Sequence, residues 1–162
     1  MILGFKERFP NGDRTLFERK IATGKKIHTI RADKNNRWEV GNLIHFTMHQ
    51  RQPNQRQFAW GICVDVQPIK IIPSTKTIQV QRGAMNGGWC QLTEKEITKL
   101  AENDGFSNAA GLFDWFNKPF FGRIIFWGDV ISYDHNTHGA DLTKISADKL
   151  RQFMQYNGKN LY

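Results

Sequence analysis

Residues 58–72, Phe-Ala-Trp-Gly-Ile-Cys-Val-Asp-Val-Gln-Pro-Ile-Lys-Ile-Ile, constrain the fold more than any other stretch, because β-branched and aromatic side chains dominate them. They read as one long strand or two collinear strands, with Ile62, Val64 and Val66 alternating inward and Pro68 marking a bulge or an edge. Ile72-Pro73-Ser74-Thr75-Lys76 supplies a turn, and residues 77–81 return as the partner strand. A hairpin of that length calls for a mostly antiparallel sheet, to which residues 2–5, 27–31, 43–48, 89–91 and 120–131 add further strands. A glycine-rich bend at 83–88 precedes Trp89.

Helical signals fall around these strands. Residues 15–23 place Leu16, Lys20 and Ala22 near helical spacing and stop at Gly24. Thr93 followed by Glu96 is a capping box, Ile97, Leu100 and Ala101 form the apolar stripe behind it, and Gly105 ends that helix. Ser107 opens a second helix carrying Leu112, Phe113, Trp115 and Phe116, and residues 146–156 form a small amphipathic helix with Leu150, Phe153 and Met154 on one face. The class is α+β, with a domain over residues 1–133 and a tail over 134–162.

Lys and Arg outnumber Asp and Glu by 23 to 15, giving a net charge of +8 and a pI near 9.7, which favours polyanions such as RNA, DNA or phosphorylated nucleosides. Aromatic residues make up 12% of a chain whose mean hydropathy is −0.55, more than packing alone needs. Cys63 and Cys90 are isolated and read as free thiols. The apolar start, Met1 to Phe5, is too short for a signal peptide, and no run approaches the roughly 18 apolar residues of a membrane span, so the expectation is a cytoplasmic protein with no membrane partner.

Chemistry concentrates in Gly24-Lys25-Lys26-Ile27-His28-Thr29-Ile30-Arg31-Ala32-Asp33-Lys34-Asn35. Thr29 and Arg31 share one face of the strand, whereas Lys26, three residues before Thr29, joins them only if the turn at Gly24-Lys25 redirects it. An alcohol, an amine and a guanidinium together provide a nucleophile, a base and positive charge for an oxyanion, the set that amide hydrolysis needs. Lysine acts as a base at neutral pH only when desolvation or nearby cations lower its pKa, and Lys25 and Arg31 are such neighbours. Trp38 beside Arg37, together with Phe58 and Trp60, offers rings for stacking on a base. His45 and His49 on a strand stand about 13 Å apart, too far to share an ion, and His135 with His138 is an equally weak pair, so neither a metal nor any other cofactor is expected. No Gly-Lys-Ser/Thr follows Gly83–Gly88, so that bend is not a phosphate-binding loop.

The order of elements, with Gly24-Lys25-Lys26-x-x-Thr29-Ile30-Arg31 and the helix end Leu100-Ala101-Glu102-Asn103-Asp104-Gly105-Phe106, resembles the ASCH domains of the PUA-like superfamily over roughly residues 1–133. Within that group it is similar to the small bacterial 4-acetylcytidine amidohydrolases, while the long hairpin region and the tail look more like larger ASCH proteins of phage and bacteria. The resemblance implies a mostly antiparallel pseudo-barrel flanked by helices, with Thr29 as nucleophile and Lys26 as its activator. It puts the third catalytic position on Asp104, where the family carries a Glu. Lys25, Arg31, Arg37 and Trp38 are then the substrate- or nucleic-acid-binding candidates. It implies a hydrolase acting on acylated cytidine or a related modified nucleoside; the same cations and rings also suit a non-catalytic RNA- or nucleotide-binding module.

Overall fold

The long strand exists, and the rest of the molecule is built on it. The computed structural model describes residues 1–82, 87–134 and 139–140, so the bend at 83–86, His135 with His138, and the tail helix expected at 146–156 lie outside the described residues. Eight strands, β1 (Ile2–Phe5), β2 (His28–Arg31), β3 (Leu43–Met48), β4 (Arg56–Ile72), β5 (Thr77–Gln81), β6 (Trp89–Gln91), β7 (Phe120–Asp134) and β8 (Gly139–Ala140), combine with helices α1 (Phe17–Ala22), α2 (Glu94–Asn103) and α3 (Ala109–Trp115) in an α+β architecture.

β4 and β7 form a long antiparallel ribbon, from Ala59 opposite Ser132 to Ile71 opposite Phe120. On its other side β4 pairs first with β3 and then, past Pro68, with β5, which carries β6. Pro68 falls between the end of the β3 ladder and the start of the β5 ladder, where a missing N–H leaves no ladder bond unmade on that side. β1 pairs with β3 in parallel, and β2 pairs with β7 in antiparallel, so these two strands are sheet edges among the described residues. The ladder does not close between them. Instead the Arg31 guanidinium reaches from β2 and donates to the Gly4 carbonyl of β1 at 2.7 Å.

Two apolar clusters result. One gathers Leu3, Phe5, Phe17, Ile21, Phe46, Phe58 and Trp127, with Phe46 wholly buried among the rings of Phe5, Phe58 and Trp127. The other packs Ile69, Ile71, Ile78 and Val80 against Ile97, Leu100 and Ala101 of α2 and Leu112 of α3. Helix α2 has the capping box that its sequence specifies: the Thr93 hydroxyl accepts from the Glu96 N–H, and the Glu96 carboxylate accepts from the Thr93 N–H at 2.8 Å, an arrangement worth roughly 1 kcal/mol.

Three local expectations are corrected. The inward face of β4 carries Phe58, Ala59, Cys63, Ile69 and Ile71, while Val64 is 49% exposed, because register shifts either side of Cys63 break the simple alternation. In α1 the buried positions are Phe17 and Ile21, and Leu16, at φ 53°, precedes the helix with its side chain exposed. Asn108, not Ser107, caps α3, its side chain accepting from the Gly111 N–H at 3.0 Å.

Candidate active site

Gly24, at φ 70°, ends α1 in the left-handed conformation that glycine adopts without strain, and the chain then runs outside any strand until His28. Two backbone bonds fix this connector. The Lys26 N–H donates to the Lys20 carbonyl at 2.9 Å, and the Ile27 N–H donates to the Asn103 carbonyl at the end of α2 at 3.0 Å. The redirection that Lys26 requires is therefore made by α1 and α2, and its side chain enters the same cavity as Thr29 and Arg31.

That cavity has a volume of about 100 Å³, with Lys26, Thr29, Arg31 and Asp104 in its lining beside Phe17, Phe106 and Trp115. Lys26 is only 1% exposed. Its ammonium donates to both the carboxylate and the main-chain carbonyl of Asp104, the residue that caps the C-terminus of α2. Three rings surround it, Phe17 at 4.6 Å, Phe5 at 5.7 Å and Trp127 at 6.0 Å from Nζ to ring centre. Thr29 is buried too, at 4% exposed.

Burial governs the electrostatics. Desolvation pulls the Lys26 amine down to about 8, helped by Arg31 and Lys20 and opposed by the charge and hydrogen bond of Asp104. Desolvation likewise raises the Asp104 carboxyl above its ordinary value, against the opposing pull of Lys26, Arg31 and the Ile30 N–H. Both groups are pushed toward their neutral forms, so transfer of one proton within the pair is easier than it is in water.

Of the residues singled out by sequence, the fold brings Lys26, Thr29, Arg31 and Asp104 together and leaves Lys25, Arg37 and Trp38 elsewhere. Lys25 is exposed, and the cations that act on Lys26 are Arg31 and Lys20. Arg37 points to solvent near Asp33, with 3.9 Å between Nε and Oδ1. Trp38 is 5% exposed in the first apolar cluster, which removes its ring from any stacking role, and Phe58 is equally buried there. Trp60 donates through Nε1 to His45 Nδ1 at 3.1 Å. Among the described residues no His, Cys, Asp and Glu side chains group as a metal site, and no helix there is long and apolar enough to cross a membrane.

Several contributors escaped the sequence reading. Phe5, Phe17 and Trp127, the rings around Lys26, come from three separate elements and carry no local signal. Lys20 donates from α1 to the Gly105 carbonyl at 2.6 Å and so ties the turn after α2 to the site. Asp33 organises the loop after β2: its carboxylate accepts from the Arg37 and Trp38 N–H groups and lies 3.7 Å from Arg123. An Asp at the start of a polar loop is the available signal for that role.

Comparison with family models, curated proteins and solved structures finds no match for this chain.

Proposed function

We propose that the protein is an amidohydrolase-like enzyme that removes the acyl group from acylated cytidine or a related modified nucleoside, on a sheet that is a PUA-like pseudo-barrel. What carries this reading is the confinement of a buried lysine–carboxylate pair with a buried threonine and an arginine in one small cavity. The near approach of the β1 and β2 edges through Arg31 and Gly4 supports the barrel.

Lys26, whose amine is pulled down to about 8, reacts as the neutral amine it becomes above that pH, held in place by Asp104. That amine takes the Thr29 hydroxyl proton as Oγ1 bonds to the amide carbon, and the carbonyl π pair moves onto oxygen, beside the Arg31 cation. Collapse of the tetrahedral intermediate breaks the C–N bond, and the Lys26 ammonium gives its proton to the departing exocyclic amine. Water, deprotonated by the same lysine, then attacks the acyl-threonine ester, and as the C–Oγ1 bond breaks the lysine returns that proton to Thr29 Oγ1 and the carboxylic acid departs.

The volume limits what enters. Pockets that enclose whole drug-sized ligands run to about 300–1,000 Å³, so a cavity of about 100 Å³ takes the acyl-amide end of a substrate and leaves the sugar outside. A short acyl chain fits that space best. Incubation with 4-acetylcytidine in the presence of a chelator, with acetate and cytidine measured by chromatography, tests the reading. Release by the parent protein and none by Thr29→Ala is the expected result, and equal release by both overturns it.

A further inference from the structure

A second cavity, of about 390 Å³, lies across the β2–β7 ladder from the first. Arg31, on the wall of the small cavity, is the register partner of Arg123, on the wall of the larger one. Gln81, Pro68, Asn36 and Phe121 line it as well, and none of them serves the amide chemistry. Arg123 is held in place, donating to Asn36 Oδ1 at 2.7 Å and lying 3.7 Å from Asp33.

The sheet beside this cavity has an unusual surface. Ile69, Ile71, Ile78, Val80 and Ile124 point toward α2 and α3, so the alternate residues Lys70, Gln79, Gln81, Phe121 and Arg123 stand on the opposite face. Phe121 is 65% exposed, its ring centre 5.9 Å from that of Trp89. Lys70, the register partner of Phe121, places its ammonium 3.9 Å from the Trp89 ring centre. Asp33, which itself lines the cavity, lies 3.7 Å from Arg123 and accepts from the Arg37 and Trp38 N–H groups.

We infer that this face is a platform for single-stranded nucleic acid, with Trp89 and Phe121 stacking on bases, Lys70 and Arg123 meeting phosphates, and the larger cavity receiving one nucleoside. An exposed Phe121 ring beside the half-buried Trp89, flanked by cations and amides on an open sheet, has the chemistry of a strand-binding surface: rings tolerate any base, and the amides reach base edges. The chain's charge of +8 suits a polyanion. Duplex bases are stacked on one another and cannot use the rings. The platform stands without the hydrolase reading, but its consequence rests on that reading: the modified cytidine would be presented within a strand.

Fluorescence anisotropy with a short labelled single-stranded RNA, its DNA counterpart and the annealed RNA duplex tests the platform. The single strands bind and the duplex binds more weakly; the tighter of RNA and DNA names the polymer. Trp89→Ala with Phe121→Ala weakens binding by roughly 5- to 150-fold for each stacked base lost, and Lys70→Gln lowers the slope of log affinity against log salt by about one. Unchanged affinity in the double variant overturns the platform, as does equal binding of the duplex. Self-association that Phe121→Ala abolishes, with no strand binding, overturns it too. Strand binding by the parent protein without acetate release refutes only the hydrolase, and acetate release without strand binding refutes only the platform.

Discussion

Lys26 and Asp104, 78 residues apart in sequence, meet as a buried ion pair in which the ammonium is also bonded to the aspartate's own main-chain carbonyl. The pair connects the start of β2 to the end of α2, and so holds the candidate nucleophile's strand against the helix layer. Removing one member of a buried pair leaves the other uncompensated, at about 3–5 kcal/mol, whereas removing both together often changes stability little. Asp104→Ala is therefore expected to destabilise by that amount in urea unfolding, and Lys26→Met combined with Asp104→Ala by clearly less than the sum of the single changes. Strict additivity would mean that the two groups do not interact in solution.

Activity should follow the lysine. Its amine is pulled down to about 8, and the neutral form is the one that accepts the threonine proton. Hence kcat/KM for 4-acetylcytidine rises with pH and levels off above about pH 8. In Lys26→Arg the guanidinium stays protonated across this range, so the rise is lost together with a thousand-fold or more of the rate. A flat profile in the parent protein would exclude Lys26 as the base.

How much of this was legible in the sequence depends on how local each cause is. Helix α2 was readable almost to the residue because Thr93, Glu96, the Ile97–Leu100–Ala101 stripe and Gly105 act within a few positions of one another. Lys26, Thr29, Arg31 and Asp104 were readable as chemistry, yet their convergence depends on bonds from Lys20 and Asn103 that no local pattern announces. The inner face of β4 was misread because the irregularities around Cys63 are imposed by β7. Trp38 was misread because a tryptophan in a polar loop gives no sign that Asp33 will hold its backbone while its ring joins a distant core. Trp89 and Phe121, far apart in the chain, become neighbours only across the β4–β7, β4–β5 and β5–β6 ladders.

His28 makes acid the weak side of this fold. Its ring is 1% exposed, 5.0 Å from that of Phe126, and its Nδ1 has no hydrogen-bond partner among the described residues. Burial, with Lys26 nearby, lowers the imidazole to about 3 from 6.5. Between those values the unfolded chain takes up a proton that the folded one does not, so the stability is fully present above pH 6.5 and falls as the pH drops toward 3, by on the order of a few kcal/mol. Urea midpoints at pH 7 and pH 4.5 should differ more in the parent protein than in His28→Leu. An equal drop in both proteins would place the acid sensitivity elsewhere.

Gly122, on the wall of the larger cavity, leaves no room for a side chain. A Cβ added there would sit 2.3 Å from the Arg31 carbonyl oxygen and 2.5 Å from the Phe120 ring, well inside contact distance, and the first of these is backbone that cannot rotate away. Gly122→Ala must therefore push β2 off β7, at about 1–3 kcal/mol of strain by analogy with overpacked cores. Because Thr29 and Arg31 ride on β2, the displacement carries the candidate nucleophile out of alignment with Lys26. Reaction geometry is sensitive at this scale, a misplacement of about 1 Å being enough for roughly a hundred-fold. The expected outcome is a folded protein with a lower urea midpoint whose kcat for 4-acetylcytidine falls by about that factor while KM changes little. Parent-like kcat in a destabilised variant would show that the spacing of β2 from β7 does not set the chemistry.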